Sequence, residues 1–305
     1  MQQAIDRTVR AIGNVLLGKE RQVRLALCAL FSRGHVLIED LPGMGKTTLS
    51  QALARALGLQ FTRVQFTSDM LPGDIIGVSV FDQRSSSFSF HPGPVFTEVL
   101  LADEINRSTP KTQSALLEAM AERQVTVEGQ TRPLPEEFFV IATQNPLTQA
   151  GTFPLPESQL DRFLMRIEIG YPEQAAEREM LAGRGGEGRA AALAPSLTRE
   201  ELRAIHEAAA RVRTADMLLD YVQRLTAYTR SAPEFAHGLS PRAALALVSA
   251  SRTWAFMDGR EHVVPEDVQA VLPSVVAHRL RGTADFAGDG RALVARLLSQ
   301  VDVFG

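Results

Sequence analysis

One stretch constrains this chain more than any other: Glu39-Asp40-Leu41-Pro42-Gly43-Met44-Gly45-Lys46-Thr47-Thr48. It follows an apolar run, His35-Val36-Leu37-Ile38, and precedes Leu49, Ala52, Leu53, Ala56 and Leu57 at helical spacing, ended by Gly58. A strand, a Gly-containing turn, Gly-Lys-Thr and then a helix is the setting that a phosphate-cradling loop requires. The N–H groups of the turn point inward, and the helix start adds positive dipole at the same place. Lys46 supplies a point charge for the outer phosphates, and Thr47 offers a hydroxyl to Mg²⁺. Pro42, Gly43, Met44, Gly45, Lys46, Thr47 and Thr48 are therefore candidate nucleotide contacts. The first position of the usual GxxxxGK[ST] pattern is Asp40. Asp tolerates strained turn dihedrals better than most residues, so Asp40 is expected to stand in for the glycine.

A phosphate loop alone does not imply hydrolysis. The second constellation does: the apolar run Val99-Leu100-Leu101-Ala102 ends in Asp103-Glu104. Ligands of open α/β sheets bind at the carboxyl ends of strands. Asp103 is thus expected beside Thr47, acting on Mg²⁺. Glu104, one residue on, is expected to polarise an attacking water as general base. A third apolar run ends at Thr143, followed by Asn145, whose neutral amide orients water or holds the terminal phosphate without competing for the metal. The bland alternatives are an acidic pair capping a strand and a turn Asn before Pro146.

Strand patterns alternate with helical ones as far as Tyr171-Pro172, after which only helical patterns follow, at 173–181, 199–211, 216–231, 241–257, 265–277 and 291–299. Pro273 is expected to break or kink the fifth. The order predicts an α/β domain over residues 1–171 with a five-stranded parallel sheet, then an all-α lid over 172–305. Two β-hairpins are expected within the first domain. One is bracketed by Pro72-Gly73 and Pro92-Gly93-Pro94, and the other turns at Glu128-Gly129-Gln130.

Net charge is −3, with no long like-charge block, so no global basic field advertises nucleic acid. The single cysteine, Cys28, lies in an apolar run and reads as a core residue. No stretch has the ~18 apolar residues of a membrane span, and the N-terminus lacks a signal-peptide pattern. The expectation is a soluble cytoplasmic protein.

The motifs together resemble those of AAA+ ATPases of the MoxR family, in the helix-2-insert clade. The matching stretches are LPGMGKT at 41–47, ADEINR at 102–107, KTQSALLEAM at 111–120, ATQNP at 142–146, LPESQLDRF at 155–163 and LSPR at 239–242. The resemblance covers essentially the whole chain. It implies ATP and Mg²⁺ as cofactors, with Lys46 and Thr47 as the Walker A pair and Asp103 and Glu104 as the Walker B pair. It further implies Asn145 as sensor 1, Arg242 as sensor 2, Arg162 as an arginine finger and Gly18 near the adenine. Residues 70–93 match the clade's insert, and residues 122–137 its hairpin before sensor 1. A homo-oligomer, a hexameric ring, is implied, with chaperone-like remodelling, maturation or cofactor insertion of a client, often one carrying a von Willebrand A domain. Ser240 suits an N-cap and Pro241 the first helical position, which puts Arg242 in a first turn able to reach a nucleotide in the cleft. Arg162 can equally be an internal ion pair; as a finger it needs another subunit's nucleotide beside it.

Two other classes compete. A DNA helicase or translocase needs a basic tracking loop, yet 122–137 holds Glu122, Glu128, Glu136 and Glu137 against Arg123 and Arg132. A GTPase-like switch is opposed by the helical second domain and Arg242.

Overall fold

The computed structural model describes residues 1–83, 86–145, 151–284 and 289–303. Two amphipathic helices, α1 (Gln2–Gly13) and α2 (Glu20–Phe31), bury Ile5, Val9 and Ile12 and then most of the Val23–Phe31 face. They lead into β1 (His35–Glu39), the phosphate-loop turn, α3 (Lys46–Ala56) and β2 (Phe61–Gln65). A short α4 (Pro72–Ile76) precedes the hairpin β3 (Gly77–Asp82) and β4 (Ser87–Pro92). Then come β5 (Val99–Asp103), α5 (Pro110–Glu122), a second hairpin β6 (Gln124–Val127) and β7 (Gln130–Pro133), β8 (Phe139–Gln144), α6 (Glu157–Leu160) and β9 (Phe163–Ile167). Both expected hairpins form. The turn of the second places Glu128 and Gly129 at φ of 52° and 75°, which suits a tight two-residue connection. Positions 84 and 85 of the expected insert, and Pro146, lie outside the described residues.

The sheet order is β2-β5-β8-β1-β9, and every pairing is parallel. The registers align the strand ends: Gln65 opposite Asp103, Glu39 opposite Gln144. Parallel strands covered on both faces need continuous apolar runs, and β5 and most of β8 are buried throughout. One consequence decides the rest. The loops after Glu39, Gln65, Asp103 and Gln144 emerge on one edge, and those before His35, Val99, Phe139 and Phe163 on the other.

The second part comprises α7 (Gln174–Leu181), α8 (Glu187–Ala191), α9 (Arg199–Ala210), α10 (Asp216–Ser231), α11 (Pro241–Met257), α12 (Pro265–Val276) and α13 (Gly290–Gln300). Its starts are written locally. Thr198 and Glu201 make a reciprocal capping box, Ser240 accepts from the Ala243 N–H ahead of Pro241, and Asp289 caps α13.

Two expectations need correction here. The lid is not purely helical: β10 (Phe235–His237) pairs antiparallel with β11 (Arg281–Gly282), and strands this short show no readable alternation. Pro273 does not end α12, which continues to Val276. Burial of Val271, Leu272, Val275 and Val276 outweighs the local preference. The glycine-rich stretch after Leu181 also folds, since α8 begins inside it and packs on α3. Among the described residues no helix is long and apolar enough to cross a membrane.

Candidate functional site

The phosphate loop turns at Gly43 and Gly45, with φ of 81° and 85°; only glycine adopts these values freely. Asp40 is not strained. Its carboxylate instead accepts three backbone N–H groups, from Leu41 at 2.8 Å, Ile169 at 2.7 Å and Gly170 at 2.6 Å. Asp40 thereby ties the loop entrance to the chain leaving β9, so the dihedral explanation for it is replaced by an anchoring one.

Lys46 lies across the loop, donating to the Asp40 carbonyl at 2.7 Å and to Asn145 Oδ1 at 2.9 Å. Burial pulls its pKa below the ordinary lysine value, while the charges of Asp103, Asp40 and Glu104 act in the opposite direction. Asn145 donates in turn to Glu104 Oε1 at 3.2 Å. The structure thus brings Lys46, Asn145 and Glu104 into one chain of contacts at the carboxyl edge of the sheet. Glu104 stands at φ 55°, a left-handed conformation uncommon for a side chain of its size. Thr143 holds it there: its hydroxyl accepts from the Glu104 N–H at 2.8 Å and donates to Asp103 Oδ1 at 2.6 Å.

Sequence reasoning missed Thr143, and it missed two residues of β2. Arg63 pairs with Asp103 at 2.7 Å, and Gln65 donates to Glu104 Oε2 at 2.9 Å, beside Arg107 at 3.1 Å. The signal for them was strand order: only when β2 lies beside β5 do Arg63 and Gln65 face the two carboxylates.

Next to the loop is a cavity of about 230 Å³ lined by Val15, Leu16, Leu17, Lys19, Met44 and Thr48, with Ile169, Pro172 and Met180 opposite. An apolar slot adjoining a phosphate cradle suits a purine ring. Gly18 turns at φ 69° at its edge, where a Cβ would stand 2.9 Å from that of Ala176. Gly186 and Glu187, at the start of α8, also line the cavity.

Arg162 and Arg242 are elsewhere. They line a separate cavity of about 310 Å³, together with Arg33, Arg123 and Arg279 and with Asp161 and His35. Among the described residues none lines both cavities. Arg33 and His35 stand at the amino end of β1, and the phosphate loop follows its carboxyl end, so the strand itself separates the two, by roughly 13 Å at about 3.3 Å per residue. Arg242, expected to reach a nucleotide in the cleft, thus does not line the cavity beside its own phosphate loop. Its helix is docked at the opposite edge of the sheet. Among the described residues Arg242 has no hydrogen-bond or ion-pair partner, and Arg162 donates to the Ser158 carbonyl at 3.1 Å while its Nε is buried without one.

Comparisons with known proteins place this geometry. Residues 35–165 match the family described as ATPase family associated with various cellular activities (AAA), and residues 227–297 match the AAA lid domain. The chain is 41% identical over 294 residues to Chaperone MoxR1 of Mycobacterium tuberculosis, covering 93% of this chain and 78% of that protein. It is 35% identical to Protein MoxR of Paracoccus denitrificans, covering 94% and 91%. This chain belongs to the MoxR family of AAA+ ATPases. It is an ATPase with a nucleotide-binding α/β core. It is also 41% identical to the uncharacterised YeaC of Bacillus subtilis, over 98% of this chain and 94% of that one. A crystal structure from Cytophaga hutchinsonii, of a protein provisionally designated an ATPase, superposes with a TM-score of 0.89 at 33% identity, covering 99% of this chain and 95% of that one.

Proposed function

We propose that this MoxR-type ATPase works as a head-to-tail ring, a hexamer in the family pattern, in which each hydrolytic site is built from two subunits. The observation that carries this is the separation just described: two arginines suited to a terminal phosphate stand at the edge of the sheet away from their own phosphate loop. In a ring of heterologous contacts, that edge meets the loop of the next copy.

On this reading, the loop residues 42–48 cradle the phosphates and Lys46 offsets their charge. The cavity beside Gly18 takes the adenine. Asp103 and the Thr47 hydroxyl are hard oxygen donors. Among the described residues no cluster of three or more His, Cys, Asp or Glu side chains could hold a metal by itself. This donor set fits Mg²⁺, which favours one or two protein oxygens plus phosphate. Bound there, Mg²⁺ would neutralise charge on the phosphate oxygens. Arg63 must then yield its place on Asp103. Glu104 takes the proton of the attacking water, oriented by Asn145, and Arg162 and Arg242 of the adjacent copy offset charge on the transferred group. Nucleotide state moves the lid, taken as residues 172–305, against the core of residues 1–171. That movement remodels or matures a client protein, such as a partner with a von Willebrand A domain. The name of the mycobacterial relative, a chaperone, supports this.

Nothing favours DNA translocation. In the second hairpin Arg123 donates to the carbonyls of Glu136 and Arg33, and Arg132 lies 3.9 Å over the Phe90 ring, so neither arginine is presented to a phosphate backbone.

The test is a mixture. Arg162→Ala and Lys46→Ala should each be nearly inactive alone, the first losing ~10³-fold or more in turnover while still binding ATP. Mixed under subunit exchange, they should recover activity, because some interfaces pair an intact Lys46 with an intact Arg162. Verified mixed rings that stay inactive would sink the shared site.

A further inference from the structure

The segment carrying Arg162 is gripped on both sides by one residue of the lid. Arg279 follows α12, and its side chain is only 5% exposed. Its Nε donates to Asp161 Oδ1 at 2.7 Å. Its Nη2 donates to the carbonyls of Asp161 at 3.2 Å and Phe163 at 2.8 Å, and its Nη1 to those of Leu164 at 3.3 Å and Val275. The residues before and after Arg162 are thus held by one planar guanidinium, a rigid donor fork that a flexible ammonium does not imitate.

The second arginine is tied to the same carboxylate. Asp161 Oδ2 accepts from the Ser240 hydroxyl at 3.3 Å, and that hydroxyl accepts from the Ala243 N–H at 3.1 Å as the cap of α11. Arg242 lies two residues past the cap. A single Asp161 side chain therefore stands one residue from Arg162 and bridges to the cap two residues from Arg242. The two arginines and Arg279 are like charges around one cavity, and without a bridge they would splay apart. A buried ion pair contributes little to stability for its desolvation cost, and fixed geometry is its better-attested use.

We propose that the Asp161–Arg279 pair, with Ser240, is a positioning device that sets Arg162 and Arg242 as two arms of one anion clamp and carries lid movement to it. This rests on the shared-site reading above. Arg279 itself touches no nucleotide. Its loss displaces the clamp while leaving the chain's own phosphate loop, at the other edge of the sheet, intact.

The experiment uses the full chain with Arg279→Ala, Arg279→Lys and Asp161→Asn, measuring affinity for a fluorescent ATP analogue, kcat, and recovery in mixed rings. Affinity should stay within about twofold of the parent, and kcat should fall on the order of 100-fold, as expected for a catalytic group displaced by about 1 Å. Arg279→Lys should restore little, since the charge returns without the fork. The decisive readout is the mixing pattern. Arg279→Ala should recover activity with Lys46→Ala and none with Arg162→Ala, because Arg279→Ala and Arg162→Ala damage the same face. The reverse pattern, recovery with Arg162→Ala only, would show that Arg279 serves its own loop and would overturn the proposal. Unchanged kcat in a folded variant would do the same. If Arg279→Ala does not fold, Asp161→Asn carries the identical test, keeping the side chain's shape while removing its charge. Should the Arg162→Ala and Lys46→Ala mixture itself stay inactive, the shared site falls and this proposal with it; recovery there without recovery for the Asp161 and Arg279 variants removes this proposal alone.

Discussion

The two edges of the sheet are built on opposite plans. At the carboxyl edge each charged group has an answer within the chain: Lys46 meets Asn145, Glu104 meets Gln65, Arg107 and Asn145, and Asp103 meets Arg63 and Thr143. At the amino edge five arginines line a cavity whose described lining holds one carboxylate, Asp161; Arg33 also pairs with Glu136 at 3.6 Å, and Arg242 answers to nothing among the described residues. A self-satisfied cluster can wait without its ligand. A cluster of like charges is unfavourable until an anion arrives, which is why the amino edge is proposed as one half of a shared site and the carboxyl edge as the other.

The largest expected effect separates binding from chemistry within the satisfied edge. Lys46→Ala should weaken nucleotide binding, because the outer phosphates lose their cation. Glu104→Gln should keep binding and lose about 10²- to 10⁴-fold in kcat, the usual scale for a positioned general base. The two should also fail to rescue each other in mixed rings, since both damage the same edge, whereas each should be rescued by Arg162→Ala. A Glu104→Gln protein that hydrolyses ATP at the parental rate would remove Glu104 from its role.

The residues alone made the carboxyl edge legible, whereas at the amino edge Arg162 and Arg242 were marked by the family resemblance, for a physical reason. The phosphate loop, Asp103-Glu104 and Asn145 each follow an apolar run, and a parallel sheet needs no further information to align those ends. Arg63 and Gln65 were hidden because their relevance depends on which strand neighbours which. The clamp was harder still. Arg162, Arg242 and Arg279 come from three distant segments, and only the docking of α11 and α12 brings them together. Local pattern gave the helix and cap for Arg242, and only the docking of that helix places it at the amino edge of the sheet.

A smaller effect distinguishes the edges by acid. His35 lines the arginine cavity and is buried. Its Nδ1 accepts from the Val140 N–H at 3.0 Å and its Nε2 faces the Met120 carbonyl at 3.3 Å. A proton on Nδ1 would oppose the Val140 N–H. Burial lowers its pKa from 6.5 to about 4, and burial likewise brings His206 to about 4. Between pH 6.5 and 4 the unfolded chain binds protons that the folded chain refuses. Stability is therefore fully present above 6.5 and is lost as pH falls towards 4, by up to about 3 kcal/mol for His35. Urea midpoints measured from pH 7 down to 4.5 should fall in the parent and fall less steeply in His35→Gln, whose amide oxygen can still accept from Val140. An identical slope in the two proteins would show that His35 is not a source of the acid sensitivity. The carboxyl edge holds no such histidine among the described residues.

The smallest expected effect decides what Asp40 is for. Two explanations make opposite rankings. If Asp40 were chosen to tolerate a strained turn, then Asp40→Gly, which restores the usual first glycine of the loop pattern, should be neutral or stabilising. If it anchors the loop to the end of β9 through the N–H groups of Ile169 and Gly170, glycine removes every acceptor, while asparagine keeps one. Hydrogen bonds to a charged acceptor contribute roughly 1.5–3 kcal/mol each in buried settings. The order of thermal midpoints should then be parent, Asp40→Asn, Asp40→Gly. At roughly 2–4 °C per kcal/mol for a chain of this scale, the steps are resolvable by calorimetry. KM for ATP should rise in the same order, since Lys46 leans on the Asp40 carbonyl and Gly170 borders the cavity beside the phosphate loop. Should Asp40→Gly melt at or above the parent, the anchor is not what holds the satisfied edge together, and the contrast between the two edges would rest on Lys46, Glu104 and Asn145 alone.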